Sequence, residues 1–163
     1  MPMNRIQFQQ GMSLPEFMAS FGTEEQCAEA LKQARWPQGF ECPRCGSAAH
    51  YVVGQGARKL FQCNGCRHQT SLTAGSLFAS TKLPLKTWFL AIYLLSQAKT
   101  GLSALALKRQ VGVSYPTAWL MHQKIMHAMA ERESQHRLDG TVQLDDAYLG
   151  GERSGGKAGR GSE

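Results

Sequence analysis

The sequence predicts an α+β protein made of small modules in series, and three observations carry that reading. Two Cys-x-x-Cys pairs, Cys42/Cys45 and Cys63/Cys66, frame a stretch rich in short strand signals. Capped amphipathic segments stand before and after it, and a run of alternating apolar and polar residues with a glycine-rich tail closes the chain. The chain has 163 residues, and its signals change character three times, as expected of units in series rather than one layered domain.

The first module, residues 1–36, is helical. Ser13-Leu-Pro-Glu16 is a capping box with Pro15 in the first turn, and Thr23 with Gln26 opens a second helix. Cys27, Ala30, Leu31 and Ala34 then recur at helical spacing, so Cys27 reads as a small buried apolar residue rather than a ligand. Trp36-Pro37-Gln-Gly39 ends the segment.

The second module, residues 37–79, is a zinc ribbon. Each Cys-x-x-Cys pair closes a tight knuckle on one side of an ion, so Cys42, Cys45, Cys63 and Cys66 are the candidate ligands. Strands are expected from His50 to Val53, Lys59 to Cys63 and Gln69 to Thr73, separated by Gly54-Gln-Gly56 and by the second knuckle. The stretch holds too little apolar material to fold alone, so a structural zinc ion supplies folding free energy. Disulfides are the competing use of these thiols. They need an oxidising compartment, and MPMNRIQFQQ lacks the charged-then-apolar pattern of a secretory leader. Arg44, Arg58, Lys59 and Arg67 decorate the ribbon, with a solvated face as the plain reading of each.

The third module, residues 80–137, changes to a helical period. Pro84 suits a first helical position, and Leu85, Trp88, Phe89, Ile92 and Leu95 share one face of a helix that runs to about Ala98. Ser103 caps a second helix carrying Leu105, Ala106 and Leu107, which stops at Val111-Gly112-Val113. Ser114 caps a third, where Pro116 is tolerated in the first turn and Ala118, Met121, Ile125 and Met129 form the buried stripe. Capped helices about a left-handed glycine match helix-turn-helix geometry, which presents the start of its last helix to a DNA major groove. Ser114, Tyr115 and Thr117 then lie where phosphates or base edges are met, and Lys108, Arg109 and Lys124 are placed to clamp backbone phosphates. A three-helix bundle without a ligand is the alternative, and Lys108 stands where such motifs usually carry a small residue.

Eighteen Lys and Arg against twelve Asp and Glu leave a net charge of +6 and a pI near 9.2, which suits an anionic partner. No window reaches the roughly eighteen unbroken apolar residues of a membrane span. The expected protein is soluble and cytoplasmic, with no membrane partner. The last segment, residues 138–163, carries Val142-Gln-Leu-Asp-Asp146-Ala-Tyr148-Leu149, a strand pattern ended by Gly150-Gly151. One strand needs neighbours, either from another chain or from a domain cut off near its beginning.

Taken in order, RWPQGFECPRCG, FQCNGCRHQTSLTAGSLF, STKLPLKTWFLAIYLL, the helix-turn-helix and VQLDDAYLGG resemble the N-terminal half of bacterial insertion-sequence transposases with a zinc ribbon and a DDE catalytic core. The resemblance covers nearly the whole chain. It implies double-stranded DNA as partner, through the terminal inverted repeats of the element, a homo-oligomer on that DNA, and association with the bacterial nucleoid. It also implies that residues 138–163 begin a truncated ribonuclease-H-like domain. Asp145 matches the first catalytic carboxylate, a divalent-ion ligand, while Asp146 replaces the usual Glu, Gln143 the usual acid and Ala147 a hydroxyl residue. Neighbouring strand side chains point to opposite faces, so Asp145 and Asp146 cannot both enter one metal cluster. Two-metal chemistry needs several converging carboxylates, and only Asp146, Glu152 and Glu163 follow Asp145. The chain is therefore expected to bind DNA without cutting it, magnesium or manganese serving only a full-length catalytic domain. A stand-alone regulator or transposition inhibitor is the alternative function.

Overall fold

The computed structural model describes residues 11–54, 59–98 and 100–134. The strand expected over residues 142–149, Asp145 within it, the glycine-rich tail and Arg58 lie outside the described residues. Among the described residues, five helices and a small three-stranded sheet follow one another in sequence: α1 (Leu14–Phe21), α2 (Glu24–Arg35), β1 (His50–Val53), β2 (Leu60–Cys63), β3 (Gln69–Ser71), α3 (Leu85–Gln97), α4 (Ala104–Val111) and α5 (Tyr115–Glu133). This is the modular α+β arrangement that the motifs predict.

Helix starts follow local chemistry. Ser13 and Glu16 form a reciprocal capping box on α1, as Thr23 and Gln26 do on α2. Ser103 Oγ accepts from Ala106 N at 3.2 Å, and Ser114 Oγ from Thr117 N at 3.4 Å, capping α4 and α5. Helix α3 differs: Pro84 stands one position earlier than expected, at the N-cap, and has no side chain with which to cap. A carboxylate from α2, that of Glu24, meets the orphan amides of α3 instead. Gly112 ends α4 at φ 75°, its amide bonding Lys108 O at 2.9 Å. A Cβ there would meet nothing within 4 Å, so glycine is required by conformation and not by space.

Two aromatic-rich cores result. The helical core gathers Cys27 from α2, Leu85, Trp88, Ala91 and Leu95 from α3, Leu107 from α4, Met121 and Ile125 from α5, and Phe78 from the loop before α3. Phe17 of α1 stacks on Tyr93 at 4.6 Å between centroids, and Phe21 meets Phe89 at 5.3 Å, so α1 and α2 lie on α3 across the intervening ribbon sequence. The second core lies in the ribbon and holds Phe40, Cys42, Phe61 and Cys63, with Trp36 against them. Its sheet is antiparallel in the order β1-β2-β3, with His50 opposite Cys63 and Phe61 opposite Thr70. Among the described residues, Leu72 packs against both cores.

Three further expectations need correction. Met129 is 50% exposed, because α5, with 19 residues, outruns the 8 residues of α4 that cover its first turns. At about 1.5 Å per residue, that is about 28 Å of helix against about 12 Å. On α3 the fully buried face includes Ala91, while Phe89 and Ile92 sit at its half-buried margin. The third strand stops at Ser71 rather than Thr73, since Leu72 leaves the sheet to join both cores.

Candidate metal centre and nucleic-acid interface

The two knuckles bring Cys42, Cys45, Cys63 and Cys66 to one point, with all four sulfur atoms within 4.8 Å of one another. The closest pairs run between knuckles: Cys42 to Cys66 and Cys45 to Cys63, each at 3.5 Å. Zinc bonds thiolate sulfur at about 2.3 Å, which puts the sulfur atoms of a tetrahedral site about 3.8 Å apart. The donor set and its spacing therefore fit zinc. Cys42 and Cys63 are buried under Phe40 and Phe61, Cys66 is half-buried, and Cys45 reaches solvent. Cys27 is elsewhere, fully buried in the helical core with its thiol donating to Phe21 O at 3.3 Å.

The four thiols differ in how readily each loses its proton. The Cys63 thiol is pulled down to about 6, chiefly by the Cys66 backbone N–H aimed at its sulfur, against the cost of burial and with help from the Cys45 thiol and Gly65 N–H. Cys42 is also lowered: burial opposes its thiolate, and the N–H groups of Arg44 and Cys45 with the neighbouring thiols outweigh that. Cys45 moves the other way, to about 12, because the Ser47 N–H is outweighed by Cys66 and Cys63, to which its proton is committed. Four thiolates cannot share this volume without a positive ion. Binding one would expel the remaining protons and cross-link the knuckles, which is how metal binding would become folding free energy.

The α4–Gly112–α5 unit places the remaining candidate residues. Lys108 and Arg109 are exposed on the last turn of α4, and Tyr115 is exposed at the start of α5. The Ser114 hydroxyl lies 2.8 Å from that of Thr117, so these two side chains hold each other across the helix start. Lys124 is turned inward instead. Its Nζ donates to Ala79 O at 3.4 Å and sits 5.9 Å from the centre of the Trp88 ring. Sequence reasoning passed over Trp119, which is 50% exposed one turn beyond Tyr115. Its signal was there to read: an aromatic residue four positions after another, beside the Ala118–Met121–Ile125 stripe.

A clasp joins the ribbon to the helices at the end of α2. Arg35, ending α2, donates from Nη1 to Leu72 O at 2.8 Å and lies 4.9 Å from the centre of the Trp36 ring. This fixes the exit of the ribbon against its entry.

With this geometry in place, comparison with known proteins is decisive for the ribbon. Residues 22–69 match the family model of a transposase zinc-ribbon domain. Over those residues the chain is similar to a transposase zinc ribbon. It is also 30% identical over 133 residues to an uncharacterized protein in transposable element ISH50 of Halobacterium salinarum, an alignment that takes in 80% of this chain and 43% of that relative. The chain thus spans less than half the length of the curated relative it matches. No solved structure matches it. Both findings support the resemblance to the N-terminal portion of insertion-sequence transposases. The match to the transposase zinc ribbon begins before α2 and ends in β3, so it takes in Cys27, the Arg35 end of the clasp and all four clustered cysteines. No helix among the described residues is long and apolar enough to cross a membrane.

Proposed function

We propose that this chain is the DNA-binding N-terminal portion of an insertion-sequence transposase and that it recognises the terminal inverted repeats of its element. The observation that carries this reading is the convergence of four cysteine sulfur atoms within 4.8 Å inside a stretch matching the transposase zinc ribbon. In this reading zinc is structural, and α4, Gly112 and α5 act as a helix-turn-helix. Tyr115 and Thr117 at the start of α5 enter the major groove, and Lys108 and Arg109 hold flanking phosphates. The net charge of +6 supports an anionic partner of this kind. Joining two element ends requires that both be held at once, so more than one copy acts on the DNA. Asp145 is proposed as the first catalytic carboxylate of a complete catalytic domain, where it would hold a magnesium or manganese ion.

The test is a binding titration of the 163-residue chain against a duplex carrying the end of its element and against a scrambled duplex of the same length. The end is expected to bind at least about tenfold more tightly, since each well-placed base contact contributes about 1–3 kcal/mol of discrimination. A chelator should abolish the preference. Equal affinity for both duplexes would exclude end recognition.

A further inference from the structure

The two knuckles follow one backbone plan, and one position departs from the residue that plan favours. Cys42 N donates to Ser47 O at 3.1 Å and Cys63 N to His68 O at 2.9 Å, while Gly46 N donates to Cys42 O at 2.9 Å and Arg67 N to Cys63 O at 3.1 Å. Gly46 and Arg67 are thus equivalent, and both are left-handed, at φ 70° and 57°. Glycine adopts this conformation freely, whereas a residue with a Cβ is disfavoured there. The second knuckle nevertheless carries an arginine, and outliers of this kind gather where a side chain is used.

Its surroundings indicate the use. Arg67 lines an open, shallow concavity with Tyr51, Gln62, Cys63 and Asn64. Tyr51 pairs with Gln62 across β1 and β2, and Gln62 with Gln69 across β2 and β3, so the three side chains share one face of the sheet. Gln69 Nε2 donates to Gln62 Oε1 at 2.7 Å, which fixes the Gln62 amide and leaves its NH2 as a donor. Tyr51 is 49% exposed. No carboxylate lines the concavity, and Arg67 makes no ion pair among the described residues. Over residues 37–79 the single acid Glu41 stands against Arg44, Arg58, Lys59 and Arg67.

We propose that this ledge is a phosphodiester subsite for duplex DNA, with the Arg67 guanidinium as its anchor and the Gln62 amide and Tyr51 hydroxyl donating to the adjoining sugar-phosphate. A planar fork of N–H donors suits phosphate oxygens, and Arg67 is exposed at the second knuckle. The inference rests on the DNA-binding reading above and adds a second contact surface to it, on the ribbon.

The experiment titrates the whole chain and its R67G, R67Q and R67K variants against a random-sequence DNA duplex at several salt concentrations, with zinc content and thermal melting measured alongside. R67G is expected to keep its zinc and to melt no lower than the parent, since glycine suits the backbone better. Its affinity should fall several-fold, and the slope of log affinity against log salt should shrink by about 0.9, the value of one phosphate contact. R67Q should show the same loss without relieving the backbone, which keeps the result readable if R67G disturbs the metal. R67K should retain the parent slope. Unchanged affinity and slope in R67G and R67Q, with a parent that binds, would overturn this proposal alone. A parent that binds no duplex at low salt would overturn it together with the DNA-binding reading.

Discussion

Glu24 on α2 caps α3: its Oε1 accepts from Leu85 N at 2.7 Å and its Oε2 from Lys86 N at 3.1 Å. One carboxylate therefore satisfies two orphan amides of a helix that begins 61 residues later and has no capping side chain of its own. Its negative charge also faces the positive end of the helix dipole. Glu24→Ala should destabilise the helical unit by about 1–2 kcal/mol, the usual cost of losing a helix cap or a charge-assisted bond. Glu24→Gln, which keeps one carbonyl acceptor, should lose about half as much. Thermal melts of both variants check this, and an alanine variant melting with the parent would mean that solvent caps α3 as well.

The cysteines should divide cleanly. Cys63→Ser leaves three thiolates around the ion, so zinc is expected to be lost and residues 40–78 to unfold. Cys27→Ser should keep its full metal content but melt at a lower temperature, because it puts a hydroxyl at a site with 0% exposure. That cost is expected at about 1–2 kcal/mol, the hydroxyl retaining Phe21 O as acceptor. Metal analysis with circular dichroism separates the two, and equal zinc loss in both would remove the distinction between core and ligand cysteines.

Lys124 and Arg109 should also part company. Lys124 bonds the carbonyl of Ala79 and lies against Trp88, which ties α5 to the loop before α3. Lys124→Ala is therefore expected to cost about 0.5–1.5 kcal/mol of stability and to leave the salt dependence of DNA binding unchanged. Arg109, exposed on α4, should behave in the opposite way. Arg109→Ala should keep the melting temperature and reduce the salt slope by about one unit. A flattened slope in Lys124→Ala would show that its ammonium leaves Ala79 to reach phosphate.

Much of this was legible in the residues because it is local. A cap is a matter of three positions, so Ser13, Thr23, Ser103 and Ser114 announced their helices, and the knuckle spacing announced the cluster. What sequence reasoning missed depends on partners distant along the chain. Nothing near Pro84 indicates that Glu24 will cap α3, and nothing near Lys124 points to Ala79. Met129 keeps its place in the apolar period of α5, but periodicity cannot say where a neighbouring helix ends. Arg67 looked like any surface cation until its φ and its equivalence to Gly46 were known.

The clasp between Arg35 and Leu72 has a consequence for the order in which the protein forms. These residues stand 37 positions apart and close the ribbon at its neck. Bringing such ends together costs a flexible chain about 3 kcal/mol in loop entropy, before any contact between α2 and α3 can offset it. A ribbon already gathered around its ion meets most of that cost in advance, so α2 reaches α3 across a short tether instead of a long open loop. Zinc supplied before refolding should then hasten the docking of helices it never touches, while the same zinc added afterwards should leave their docking rate unaltered.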